Sequence, residues 1–343
     1  MDTVVGSVGR VGRFRKSGKT SSSAVAACAL GVVLASLASP VPAQGYPGKP
    51  VRLVIPWAAG GSTDSIGRIL GQKLGEYTGQ QWIIDNRGGA TGTIGHAYAA
   101  KAAPDGYTLL LGTNSTFAIA PHLYKNLQYD NEKSLAPISL VAISPQILSV
   151  HPSLPVKNVK ELIALARAKP EAIPFSTAGV GATSHMATEL LMNMSRIKLT
   201  HVPYKGGGPS AQALIAGETA LSFVDVITAL PQAQAGRLRP IATSTAQRTP
   251  LMPELPTIAE SGLPGFESVT SFAMFAPAST AQDIVGRVNR EVARALSTPD
   301  VKEKLRAQGI DPAGTSPEEL VAHQKLETVK WGKVIREQGI RFE

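Results

Sequence analysis

The chain has 343 residues, 43% hydrophobic and only 5% aromatic, enough apolar material for a sizeable core and a length that suggests about two domains. That composition excludes a disordered tail, a collagen or a coiled coil. Lys+Arg number 34 against 25 Asp+Glu, a formal excess of +9. Residues 1–43 alone carry +4 of it (Arg10, Arg13, Arg15, Lys16 and Lys19 against Asp2), and the remaining +5 is spread without a dense run. A nucleic-acid groove needs clustered Lys and Arg on one face, so no nucleic-acid partner is expected.

The first segment reads as an address. Residues 10–19 are basic, residues 24–38 are apolar and small, and Val41-Pro42-Ala43 offers small residues before a cut. This is the three-part layout of a secretory signal peptide, with cleavage expected after Ala43 and a periplasmic mature chain starting near Gln44. The apolar run falls short of the ~20 residues that span a bilayer; an uncleaved anchor is the alternative. Cys28 is the only cysteine. Val25-Ala26-Ala27-Cys28 loosely fits a lipidation box, although most of the apolar run follows it. Cleavage after Ala43 leaves no thiol, which excludes disulfides, thiolate catalysis and Cys-ligated metals and suits a bacterial periplasm.

Beyond Gln44, strands and helices alternate. Residues 51–56 read as a strand, residues 57–63 as a Gly/Ala turn, and Ser62 or Thr63 as the cap of a helix with Ile66, Ile69, Leu70 and Leu74 at helical spacing. Strands follow at 82–84 and 107–111, separated by a Gly-rich turn and a helix at about 94–103; residues 112–116 form a polar loop. Asn158 caps a helix ending at Lys169-Pro170. Strands at 174–177, 199–204, 220–224 and 240–243 alternate with helices at 183–194 and 209–216. After a strand at 272–276 the tail is helical over 280–296, 299–307 and 317–337. This pattern marks an α/β sheet with crossover connections.

The enzyme signatures fail in turn. Arg13 stands where a phosphate-binding loop ending Gly18-Lys19-Thr20 needs glycine. There is no Gly-x-Ser-x-Gly or His-Glu-x-x-His, and the six histidines show no metal-ligand spacing. Gly179-x-Gly181 lacks the third glycine of a dinucleotide fingerprint. Ser184 and His185 are adjacent, a poor arrangement for a nucleophile and its base. No catalytic residue, metal ligand or cofactor is assigned.

Two loops share one design. Trp57-Ala58-Ala59-Gly60-Gly61-Ser62-Thr63-Asp64 and Gly179-Val180-Gly181-Ala182-Thr183-Ser184 each follow a strand, bear hydroxyls and open a helix. A helix start has unpaired N–H groups and a partial positive charge, and glycine lets a ligand approach that backbone. Two such ends facing each other could hold a carboxylate without Arg or Lys. Each loop alone also fits an ordinary cap over a tight turn.

The segment Tyr46-Pro47-x-Lys49-Pro50-Val51-x-Leu53-Val54-Ile55-Pro56-Trp57-x-Ala59-Gly60-Gly61-x-x-Asp64 resembles the opening of the Bug-type solute receptors, the extracytoplasmic substrate-binding proteins of tripartite tricarboxylate transporters. Matching blocks follow in order: Asn86-Arg87-Gly88-Gly89-Ala90-x-Gly92, Pro104-Asp105-Gly106-Tyr107-Thr108-Leu109, Ala178-Gly179-x-Gly181-x-x-Ser184-His185, Val202-Pro203-Tyr204-Lys205-Gly206 and Pro256-Thr257-x-x-Glu260-x-Gly262. The resemblance implies a type II periplasmic-binding-protein fold. Lobe one would be 44–144 with 268–343 and lobe two 145–267, around a cleft with hinge crossovers.

The resemblance also implies a carboxylate held partly through waters. Ala59, Gly60, Ser62 and Thr63 would lie on one side, with Gly179, Gly181, Thr183 and Ser184 on the other. Asp64 would tie down its loop or touch the ligand. Asn114, Ser115 and Thr116 would face the ligand's far end. Tyr204 and Asp225 come from lobe-two strand ends, where Asp225 would repel a second carboxylate or pair with an amino group, or serve as a turn aspartate. Trp57 would stack on a ring or line the cleft. The expected function is a monomeric receptor delivering a small organic carboxylate (a di- or tricarboxylate or aromatic acid) to membrane transporter subunits. The alternatives are a receptor for a membrane signalling kinase, or a periplasmic hydrolase using Ser184 or Ser62.

Overall fold

The computed structural model describes residues 45–337 and residue 340; the expected signal segment, the cut after Ala43 and Cys28 lie outside the described residues. Strand β1 (Val51–Ile55) is apolar on both faces apart from Arg52, as a central parallel strand covered on two sides requires. It pairs in parallel with β2 (Trp82–Asn86) and β3 (Thr108–Thr113). Helices α1 (Ser62–Thr78) and α2 (Thr93–Ala100) make the crossovers. The strand expected to end at 111 runs to Thr113. The expected polar loop becomes a wide helical turn over Ser115–Ile119, leading into α3 (Ala120–Leu123).

The molecule is organised around β4 (Leu135–Val150), 16 residues long. From Leu135 to Pro145 it pairs with β9 (Val269–Pro277), which also pairs with β3; from Gln146 to Val150 it pairs with β7 (Leu221–Asp225). Ile147–Val150 also takes β8 (Arg239–Thr243) on its other edge. One strand therefore belongs to two halves of a curled sheet. The second half continues from β7 through β5 (Pro174–Thr177) to β6 (Thr200–Pro203), in parallel. Its helices are α4 (Val159–Ala168), α5 (Thr183–Ser195), α6 (Gly207–Ile215) and α7 (Val226–Gln234). The chain returns through β9 to α8 (Gln282–Ser297), α9 (Pro299–Arg306), the short β10 (Asp311–Pro312) against β4, and α10 (Pro317–Glu337).

Helices cover both faces of each half. In the first, Leu53 and Ile55 pack with Ile66 and Leu70 of α1 and Val288 of α8, and Leu110 and Phe275 pack on the opposite face with Phe117 and Trp331. In the second, Phe175 and Phe223 meet Leu162 and Leu191, while Ile147 and Val224 meet Leu214 and Ala229. Asn158 caps α4, accepting the Glu161 N–H at 2.9 Å. The cap of α1 differs from expectation. Gly61, extended at φ −92 and ψ 175, holds that position without a side-chain bond, which leaves Ser62 free for another partner.

Candidate cleft between the sheet halves

The first loop is fixed from below. Gly60, at φ 87, turns its N–H onto Asp64 Oδ2 at 3.0 Å, and Arg68 Nε reaches the same oxygen at 3.0 Å. Burial would raise the Asp64 carboxyl, but Arg68, Gly60 and Asn86 outweigh it and hold the group below the usual carboxylate range. Asp64 thus ties the loop. Behind the loop, Asn86 Nδ2 donates to Trp57 O at 3.2 Å. Gly92, at φ 87, lies so close that a Cβ there would meet Thr116 Cγ2 at 2.9 Å and Trp57 Cζ2 at 3.3 Å.

The second loop is fixed from within its own helix. Gly179 (φ 132) and Gly181 (φ 81) bend the chain from β5 into α5. Gly181 N–H donates to His185 Nδ1 at 3.2 Å, and Ala178 N–H to Ser184 Oγ at 3.1 Å. The His185 ring stacks on His201 with centroids 4.1 Å apart.

The starts of α1 and α5 line one cavity of about 60 Å³, together with Gly207 at the start of α6 and Asp225 immediately before α7. Four helix N-termini therefore meet here, each with amides that lack an intrahelical acceptor. Hydroxyls of Thr113, Ser210, Thr228 and Thr270 and the amide of Gln146 join them. Among the described residues, no Lys, Arg or His lines the cavity, and Asp225 is the one ionisable group that does. Trp57 Nε1 and Thr113 Oγ1 are buried there without a hydrogen-bond partner among the described residues.

Seven of the residues nominated from sequence line this cavity: Trp57, Ser62, Thr63 and Ser115 from one half, Thr183, Ser184 and Asp225 from the other. The other seven do not. Ala59 and Gly60 are exposed on the rim, where Gly208 of α6 approaches the Gly60 carbonyl. Gly179 and Gly181 shape the second loop, and the Gly181 amide is already bonded to His185. Thr116 is turned back onto Thr113 O at 2.8 Å. Tyr204 points its hydroxyl at Glu218, 3.0 Å away at the far end of α6, rather than at the cavity. Asn114 is fully buried and joins the two halves. Its Oδ1 accepts from Thr183 Oγ1 at 2.9 Å, and its Nδ2 donates to Val269 O at 2.9 Å and to Glu327 Oε2 at 2.8 Å.

Further bonds cross the cleft. Ser115 Oγ accepts from Thr183 N at 3.0 Å, Thr91 Oγ1 donates to Val180 O at 2.5 Å, and Ser62 Oγ donates to Asp225 Oδ2. Asp225 faces Gln146 in the β4–β7 register, and its Oδ1 accepts from Thr270 Oγ1 at 3.0 Å. Burial pushes its carboxyl above the usual range, against the pull of Ser62, Thr270 and Gln146. Gln146 and Thr270 were not nominated from sequence. They lie where β4 and β9 pass between the halves, and no local pattern marks such a crossing.

Of the two serines of the hydrolase alternative, Ser62 donates to Asp225, and Ser184 accepts from the Ala178 N–H. Among the described residues, no group of three or more His, Cys, Asp or Glu could hold a metal ion, and no helix is long and apolar enough to cross a membrane.

Two α/β sheet halves sharing through-running strands, with helix starts converging on the cleft between them, define a periplasmic-binding-protein fold of the kind solved for the periplasmic binding protein BugD. That protein has 32% identity and a TM-score of 0.83, covering 87% of this chain and 100% of that one. The family model for tripartite tricarboxylate transporter family receptors matches residues 66–340. The chain belongs to this family of substrate-binding receptors. Protein BugT of Bordetella pertussis is 34% identical over 313 residues, 91% of this chain and 96% of BugT. Rpa4515 of R. palustris, solved with adipate, has 38% identity and a TM-score of 0.84 over 86% of this chain and 99% of that one. MatC of Rhodopseudomonas palustris, solved with malate, has 31% identity and a TM-score of 0.81 over 84% and 100%.

Proposed function

We propose that the chain is a periplasmic, monomeric receptor that captures a small organic carboxylate and presents it to the membrane subunits of a tripartite tricarboxylate transporter. The observation that carries this reading is the meeting of the α1 and α5 starts, with Ser62, Thr63, Thr183 and Ser184, on one cavity free of cationic side chains among the described residues. Amides and hydroxyls there can satisfy a carboxylate directly or through ordered water. The acids held by Rpa4515 and MatC support the ligand class. The layout of residues 1–43 supports export. Residues 44–144 with 268–343 form one lobe and 145–267 the other, a division supported by the change of β4 partner after Pro145. Capture by lobe closure creates the shape that a membrane partner reads.

The test is thermal denaturation of the mature chain with a panel of short carboxylic acids. An acid at 100 times its dissociation constant adds about 2.7 kcal/mol of stability. Thr63→Val, which removes one cavity hydroxyl at nearly constant volume, should weaken the best acid about tenfold, the usual loss for a hydrogen bond to a charged group. Stabilisation by sugars or peptides and by none of the acids would refute the proposal.

A further inference from the structure

The cavity contains a charge that a receptor for anions does not need. Around a space of about 60 Å³, the only ionisable lining group among the described residues is a carboxylate, Asp225. It lies at the end of β7, between Gln146 of β4 and Thr270 of β9, at the point where strands pass from one sheet half to the other. Its hydrogen-bond donors are neutral: Ser62 to Oδ2, Thr270 to Oδ1 at 3.0 Å, and the adjoining Gln146 side chain. A carboxylate has about four acceptor sites, so these donors leave it room to accept from a ligand. No Lys, Arg or His of the cavity lining balances its charge. Buried carboxylates are ordinarily paired, because an isolated charge loses its hydration without replacement.

We infer that Asp225 selects the ligand: the cleft takes a small zwitterionic amino acid, with the carboxylate at the α1 and α5 starts and the ammonium group on Asp225, in preference to a dianionic acid. This rests on the carboxylate reading of the same cleft. An ammonium group supplies the missing countercharge and up to three donors, whereas a second carboxylate enters as a like charge in a water-poor space. Two further observations fit a ligand with unlike ends. Trp57 Nε1 is buried, unbonded and a donor only, so it can serve the ligand's carboxylate and not its ammonium. Thr113 Oγ1, also buried and unbonded, can donate or accept. The upward pull of burial on the Asp225 carboxyl is the electrostatic signature of the same imbalance.

The experiment is isothermal titration of the mature chain with matched pairs that differ in one amino group: alanine and propionate, aspartate and succinate, glutamate and glutarate. The same titrations are made on Asp225→Asn, which keeps the shape and can still bond Ser62 and Thr270. In the wild-type chain the aminated member of the best-bound pair is expected to bind at least tenfold more tightly than its partner. In Asp225→Asn that ratio should fall at least tenfold, with the deaminated acid gaining. The wild-type ratio tests the inference even if the variant does not fold. If succinate, glutarate or propionate binds the wild-type chain more tightly than its aminated partner, the inference fails while the carboxylate reading stands. An unchanged ratio in a folded Asp225→Asn overturns it in the same way. No binding of any of the six overturns the inference, and the panel of acids then decides the carboxylate reading separately.

Discussion

Replacing Asn114 by alanine removes a side chain whose amide is engaged at both ends. Its Nδ2 serves Val269 O at 2.9 Å and Glu327 Oε2 at 2.8 Å, and its Oδ1 accepts from Thr183 Oγ1 at 2.9 Å and Ser271 N at 3.3 Å. These four bonds tie the end of β3 to β9, to α10 and, across the cleft, to the start of α5. The Thr183 hydroxyl keeps Ser115 at 3.0 Å, and the Ser271 bond is long, so those losses are small. The Val269 carbonyl and the Glu327 carboxylate lose more. Glu327 is 7% exposed and retains the Trp331 indole at 3.0 Å and Lys330 at 3.7 Å. At about 1–3 kcal/mol for the Val269 carbonyl and a smaller loss at Glu327, Asn114→Ala should cost about 2–4 kcal/mol. Urea denaturation reads this directly. Asn114→Asp should fare no better at neutral pH, because it sets a second carboxylate against Glu327, but it should recover in acid as the introduced carboxyl takes up a proton. An alanine variant within 1 kcal/mol of the wild type would show that Asn114 is not the junction described here.

Two further predictions concern stability. His96 is fully buried and bonded to Asn131 at 2.8 Å, and burial pulls its pKa down to about 3 from an ordinary 6.5. The folded state therefore resists protonation that the unfolded chain accepts: stability is full above about pH 6.5 and lost as pH falls toward 3, by up to about 1.4 kcal/mol per pH unit. His96→Gln should flatten the urea-derived stability profile between pH 6 and 4; an unchanged slope would refute the assignment. Gly92→Ala places a Cβ at positive φ, 3.2 Å from Pro56 O and 2.9 Å from Thr116 Cγ2, and should cost about 1–3 kcal/mol and weaken carboxylate binding by shifting Trp57. A neutral result would mean that the loop behind Trp57 is free to move.

Where local chemistry decides the structure, the sequence was readable. Pro174–Thr177 is a strand with the expected limits, and Asn158 caps α4 because its side chain can reach the Glu161 N–H. Where distant pairing decides it, the sequence was silent. β4 contains Pro137 and Pro145, which argue against a long strand. In the fold Pro137 adjoins a break in register with β9, and Pro145 is the last residue paired with β9 before the strand changes partner. Pro231 similarly hid α7. The two glycine-hydroxyl loops were legible as helix starts, and Ser62, Thr63, Thr183 and Ser184 do share a cavity. Tyr204 stands at a strand end, but which way a side chain leaves a strand depends on the pairing. Glu218, 14 residues on, holds its hydroxyl outside.

The unbroken run of β4 has a mechanical consequence. Residues on either side of Pro145 and Gln146 are locked into ladders, with β9 before and β7 after. Any opening of the cleft must be absorbed by torsion over the few peptide units between those ladders and the neighbouring start of β9. Such a joint works as a stiff leaf spring rather than a slack tether.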